Sequence, residues 1–176
     1  MFKTRIQLSM KHLSFFLLPA LAIFIIAACV KRPDYPIEPV LNFTGMNKQV
    51  IAQGSPNAAA DTLAITFGFT DGDGDLGYAD GTLDIFLTDS RDGFEETLKL
   101  PVISEQGSGN GVSGEITVLV FNKPFNICCT YPNGQVPCTP STVFPIDTFS
   151  YAIRIRDRAG HFSNSVQTGV VSILCN

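Results

Sequence analysis

The chain has no tryptophan, only two histidines and no apolar run long enough to span a bilayer. Its longest such stretch, Leu13–Ala28, is interrupted by Pro19 and falls short of the roughly 20 residues a spanning helix needs. Basic residues are also scarce, 12 Lys and Arg against 16 Asp and Glu. Nucleic-acid binding needs a basic face to neutralise phosphates, so that class is excluded. No H-E-x-x-H, G-x-S-x-G or glycine-rich phosphate loop occurs, which removes the commonest hydrolase and nucleotide signatures. The cysteines lack the C-x₂-C pairs of structural zinc sites. Long helical periodicity is missing as well.

What is present begins with an ordered N-terminus. Lys3, Arg5 and Lys11 precede the apolar stretch, which ends in Ile26-Ala27-Ala28-Cys29. Charged start, apolar middle and small residues at the cut are the order of an export signal. With Cys29 at its end, the run resembles the lipobox of bacterial lipoproteins. The resemblance implies a signal peptide over 1–28, cleavage before Cys29 and a covalent lipid on that cysteine. The exported chain then carries 9 basic and 16 acidic groups, a net charge of −7. Residues 29–39 follow as lipidated Cys and linker, with three prolines in the ten residues after Cys29. That is an extended tether, reaching about 30 Å when stretched.

Residues 40–176 alternate polar and apolar side chains in short stretches. Strands are expected over 40–52 (bent at Gly45), 62–70, 82–88, 96–103, 114–121, 148–157 and 165–174. Leu63, Ile65, Phe67 and Phe69 share one face, as do Ile116, Val118 and Val120, and Tyr151, Ile153 and Ile155. In the third strand Leu83, Ile85 and Leu87 are expected inward, with Asp84 and Phe86 outward. Period-2 alternation broken by Gly, Pro, Asn and Asp clusters predicts an all-β fold, a seven-stranded Ig-like antiparallel β-sandwich.

Cys128, Cys129, Cys138 and Cys175 make an even count in an exported chain, which reads as two disulfides. A bridge between neighbours 128 and 129 is strained, so one is expected to pair with Cys138 and the other with Cys175. Immunoglobulin-like strand order puts Cys175 at the same pole as the long excursion 122–147, in agreement with that pairing. A loop of that length needs tying down or has a role.

Asp71, Asp73 and Asp75 alternate with glycines directly after the second strand. Their oxygens can converge on one hard cation, and Ca²⁺ is the expected ion, with Asp80 as a further ligand. The same order places the 71–81 and 157–164 loops at one pole, so Asp157 joins the candidate set. Leu76 and Thr82 stand where an EF-hand has Gly and Glu, so the site is expected to be a sandwich-loop site. Without a metal, Asp and Gly are ordinary turn residues.

Phe69-Thr70-Asp71-Gly72-Asp73-Gly74-Asp75-Leu76-Gly77 resembles a segment of small Bacteroidetes-type lipoproteins. Ile153-Arg154-Ile155-Arg156-Asp157-Arg158-Ala159-Gly160-His161-Phe162-Ser163-Asn164 resembles the F–G hairpin of bacterial Ig-like and cadherin-like modules. These resemblances imply an outer-membrane, lipid-anchored module that meets the membrane through its anchor and takes an unidentified protein or glycan partner. Val30 after the lipidated cysteine favours the outer membrane, and the missing acidic export cluster favours its periplasmic face. Asp157, His161 and Ser163 sit within one turn, a poor geometry for a triad, so the expected role is non-catalytic. Arg154, Arg156 and Arg158 share a strand face and are expected to pair with acidic neighbours such as Asp84. The alternative role is a carbohydrate-binding accessory lipoprotein of a glycan-uptake system, with Tyr78, Phe94 and Tyr131 as sugar-stacking candidates.

Overall fold

A computed structural model describes residues 34–54, 59–103 and 111–176. The expected signal segment 1–28 and the lipid attachment point Cys29 lie outside these residues. Asp34–Asn176 forms one compact unit. No helix among the described residues is long and apolar enough to cross a membrane.

The described residues of the unit are all-β and form ten strands: β1 (Val40–Met46), β2 (Val50–Ala52), β3 (Thr62–Asp71), β4 (Ile85–Asp89), β5 (Glu95–Leu98), β6 (Val112–Phe121), β7 (Ile146–Phe149), β8 (Tyr151–Ile155), β9 (Val166–Gln167) and β10 (Val171–Leu174). They form three sheets, ordered β1-β3-β6, β2-β10-β7 and β5-β4-β8-β9. The expected seven strands become ten because three of them break. The first breaks after Met46, where Asn47 turns back to bond Ala64 N–H and the Thr62 carbonyl. Its first half pairs with β3 and its second half with β10. The sixth breaks at Ser150 and the seventh at 168–170. There the Thr168 hydroxyl oxygen accepts the Tyr151 N–H in place of a backbone carbonyl, while the Thr168 N–H donates to the Tyr151 carbonyl.

The pairing is not purely antiparallel. β2 runs parallel to β10, with Ile51 opposite Ile173. The expected bend at Gly45 is a register shift between Phe43 and Gly45 in the β1–β3 ladder.

Alternation places the core. Leu63, Ile65 and Phe67 on β3 oppose Val120, Val118 and Ile116 on β6. All six are buried, and they meet Ile85, Leu87, Ile153 and Ile155 in one apolar cluster. Each fully buried side chain of this size contributes about 1.5–3 kcal/mol. On the outward face of the same ladder the Thr66 and Thr117 hydroxyls lie 2.9 Å apart, and Leu119 and Phe121 are exposed.

β4 departs from its expected facing at one end. Leu83 is exposed and Asp84 is buried. Regular alternation starts only at Ile85, and just before it the Asp84 carboxylate turns inward to accept the Leu100 N–H at 2.6 Å. The expected outward pairing of Asp84 with the arginine face is therefore absent. Arg154 pairs with Glu95 of β5 at 3.2 Å. Arg158 lies beyond β8, and its guanidinium donates to the Leu76 and Gly77 carbonyls.

Candidate functional site

The loop after β3 and the loop after β8 meet at one end of the strands. Asp71 is the last residue of β3, and its side chain is fully buried. One oxygen, Oδ2, accepts the Asp75 N–H at 3.0 Å and closes the 71–75 turn. Gly74 has φ 71°, a conformation that costs a glycine little. Leu76 is buried in the core, which explains an apolar residue where an EF-hand carries glycine. Gly72 is needed for space, since a Cβ there would lie 2.5 Å from the Tyr35 and Pro36 carbonyls. The segment leading into β1 thus lies against the acidic loop.

From the other loop, Ala159 N–H donates to Asp75 Oδ2 at 2.9 Å, and Arg158 N–H donates to the Asp75 carbonyl. Asp157 is fully buried. Its Oδ1 accepts the His161 N–H at 2.7 Å, and its Oδ2 lies 2.9 Å from His161 Nδ1. Tyr78 Oη donates to the Asp157 carbonyl at 2.6 Å.

These loops bring Asp71, Asp75 and Asp157 together, with one carboxylate oxygen from each lying within 4.8 Å of the others. Asp71 Oδ1 and Asp75 Oδ1 are buried and have no hydrogen-bond partner. Burial, then the nearby Asp73 charge, pushes the Asp71 carboxyl up to about 6. Asp75 is also raised, by burial and then by Asp157. Asp73 is exposed at the rim, and its charge acts on both. Asp80 stands apart from the three, its Oδ1 accepting the Thr82 N–H and hydroxyl. Of the five candidate ligands, the fold gathers three, sets one beside them and turns one away.

The opposite end of the strands carries the cysteines. Cys128 pairs with Cys138 and Cys129 with Cys175, with Cα–Cα distances of 4.6 and 5.9 Å. Cys129 and Cys175 are fully buried. Three residues without a sequence signature complete this end. Gln53, almost fully buried, donates to the Thr139 and Cys175 carbonyls. Arg91 reaches Asp89, Asp147 and the Cys128 carbonyl. Asp147 also accepts the Thr130 N–H and hydroxyl.

The residues weighed for catalysis and sugar binding divide. Asp157 and His161 do meet, and the aspartate raises the imidazole's affinity for its proton. Ser163 does not join them, because its Oγ accepts the Ile155 N–H and donates to the Asn164 carbonyl. Tyr131 is buried and donates to the Thr139 carbonyl. Phe94 is exposed.

No protein-family model, curated protein or solved structure matches this chain.

Proposed function

We propose that this protein is a lipid-anchored, non-catalytic module of the cell envelope, with a structural or binding role and an acidic pole stabilised by Ca²⁺. The observation that carries the cation is the pair of buried, unpartnered oxygens on Asp71 and Asp75. Buried carboxylates without partners are costly, and a bound cation removes that cost. A hard cation of Ca²⁺ type accepts six to eight oxygens. Asp71, Asp75 and Asp157 would supply the first of them, and water the remainder.

The Ig-like reading draws support from strand order. β1-β3-β6 follows the A-B-E sheet of such a sandwich, and β5-β4-β8-β9 the partner sheet with C beside F and F beside G. β2, split from β1 and parallel to β10, takes the place of a second A segment against G. The anchor rests on the N-terminal pattern ending in Cys29; Val30 after it supports the outer membrane, and the missing acidic export cluster supports the periplasmic face. β1 starts opposite Thr70, beside the acidic loop, so the tether would leave from the cation pole.

Thermal unfolding in EDTA and in Ca²⁺ tests the cation. Ca²⁺ should raise Tm, and Asp71→Asn should abolish that rise while leaving the EDTA form folded. An identical Tm with and without Ca²⁺, and no binding heat, would reject the site. Labelling with a palmitate analogue tests the anchor, and Cys29→Ser should remove the label.

The carbohydrate-binding alternative retains Phe94, whose exposed ring is free to stack. Tyr78 and Tyr131 are engaged in internal hydrogen bonds. Glycan-array binding lost in Phe94→Ala would support that reading.

A further inference from the structure

The most exposed large apolar side chain among the described residues is Phe125, at 87%. Its backbone is as unusual as its exposure, with φ 68°. It lies in the turn Lys123-Pro124-Phe125-Asn126, closed by the Asn126 N–H donating to the Lys123 carbonyl at 3.0 Å. Proline in the second position and positive φ in the third follow the type II pattern, whose third position calls for glycine. A phenylalanine there carries backbone strain and gains no burial. Neither folding nor solubility accounts for it, and strain of this kind clusters at binding sites.

The ring borders a cleft of about 230 Å³ lined by Asp92, Phe94, Phe125, Asn126, Thr130 and Pro137, among others. Phe94 is the second exposed ring, at 66%. The cleft is smaller than the roughly 300–1,000 Å³ typical of drug-sized ligands, so it suits one side chain or one sugar unit.

Charge separates those two. Arg91 in the floor is neutralised by Asp89 and Asp147. Lys123 is turned onto the Phe121 ring, 5.2 Å from its centroid. Asp92 takes no ion pair among the described residues, and one of its oxygens accepts the Phe94 N–H. The cleft therefore offers two aromatic rings beside an uncompensated carboxylate. A long aliphatic stem ending in a cation matches all three, with its methylenes against the rings and its charge at Asp92.

We propose that this cleft binds a basic side chain, lysine or arginine, of a partner polypeptide. The inference extends the binding role above but uses neither the anchor nor the cation site. The cleft sits at the far end of β4 from Asp157, since Asp89 opposes Tyr151 while Ile85 opposes Ile155.

The test is an amide-shift NMR titration of the purified full chain in detergent micelles. The probes are a blocked Gly-Gly-Lys-Gly-Gly peptide, the same peptide acetylated on Nε, and maltotriose. The lysine peptide should give saturable shifts at Phe94 and Asn126, and the acetylated peptide should not. Phe125→Gly and Asp92→Asn should each weaken binding about three- to fivefold. Phe125→Gly should leave Tm unchanged or raise it, because glycine suits the turn. Equal shifts from both peptides, or none from either, would overturn the proposal. So would a Tm several degrees lower in Phe125→Gly, which would make the ring structural. Saturable shifts with maltotriose alone would overturn it in favour of the sugar reading. A calcium response that persists when the peptide fails isolates the failure to this cleft.

Discussion

The two ends of the strands solve the same problem in different ways. At the cysteine end, a long connection without regular structure is held by two covalent bridges, and the buried Gln53 and half-buried Arg91 and Asp147 find partners. At the acidic end, loops are held by carboxylates accepting backbone N–H groups, and three buried oxygens, on Asp71, Asp75 and Asp84, are left over. At the first end one buried carboxylate oxygen, Glu96 Oε2, is left over. On the proposed reading, a bound cation satisfies the Asp71 and Asp75 oxygens of the second. Covalent closure gives a rigid frame on which a strained turn can be displayed. Carboxylate closure, on the proposed reading, gives a frame whose stability responds to cations and to pH.

The largest effect that sharpens this contrast is loss of the buried bridge. Cys129–Cys175 closes a 46-residue separation, for which chain entropy gives about 4 kcal/mol. Replacing both cysteines by alanine should lower stability by about that amount, measured by denaturant unfolding. A loss below about 1 kcal/mol would remove the cysteine end's claim to covalent rigidity.

Next is the pH dependence of the acidic end in EDTA. The Asp71 pKa is raised from 3.8 to about 6 in the folded protein. Its contribution to stability is therefore full below 3.8 and is lost as pH rises through about 6. The shift corresponds to about 3 kcal/mol between pH 4 and pH 7. His161, also raised, acts in the same direction, its contribution fading as pH rises through its folded pKa. Added Ca²⁺ should flatten the fall, as followed by Tm across that window. A metal-free protein equally stable at both ends of it would contradict the account.

The Cys128–Cys138 bridge should come third. Its separation of 10 residues gives about 2.5 kcal/mol. Chemical unfolding of the double alanine variant should therefore show a smaller loss than removal of the buried bridge. The reverse order would place the anchoring of the excursion at its tip.

The smallest effect should be Arg154→Ala. The pair with Glu95 is substantially exposed, so its loss should cost under about 1 kcal/mol. The same guanidinium lies 4.9 Å from the Phe162 ring centroid. A double-mutant cycle with Glu95→Ala separates the charge pair from the ring contact.

Much of this was legible in the chain because it rests on local pattern. β3 and β6 lie within a residue or two of the alternating runs that announce them, since a half-buried strand needs period-2 apolarity. That one of Cys128 and Cys129 bridges Cys138 and the other Cys175 followed from the strain of joining neighbours, while which does which was settled only by the fold. The meeting of the 71–81 and 157–164 loops followed from strand order. Three features were not legible. The inward turn of Asp84 depends on an N–H from Leu100, sixteen residues away. The splitting of three strands depends on which sheet each half joins. The separation of Asp80 from the acidic cluster depends on a local bond to Thr82 that competes with any distant ligand. Phe125 does carry a local signal, a proline followed by a residue in the glycine position of a turn, but its exposure depends on the fold.

Taken alone, the sequence determined the all-β class, the inward faces of most strands, the pairing partners open to each cysteine and the acidic residues available to a cation. These depend on side-chain chemistry and on spacing along one strand or turn. Tertiary structure alone decided which of those acids are desolvated, which oxygens are left without a donor and which aromatic ring faces solvent. Burial and satisfaction belong to surfaces brought together from distant parts of the chain, so no single segment carries them.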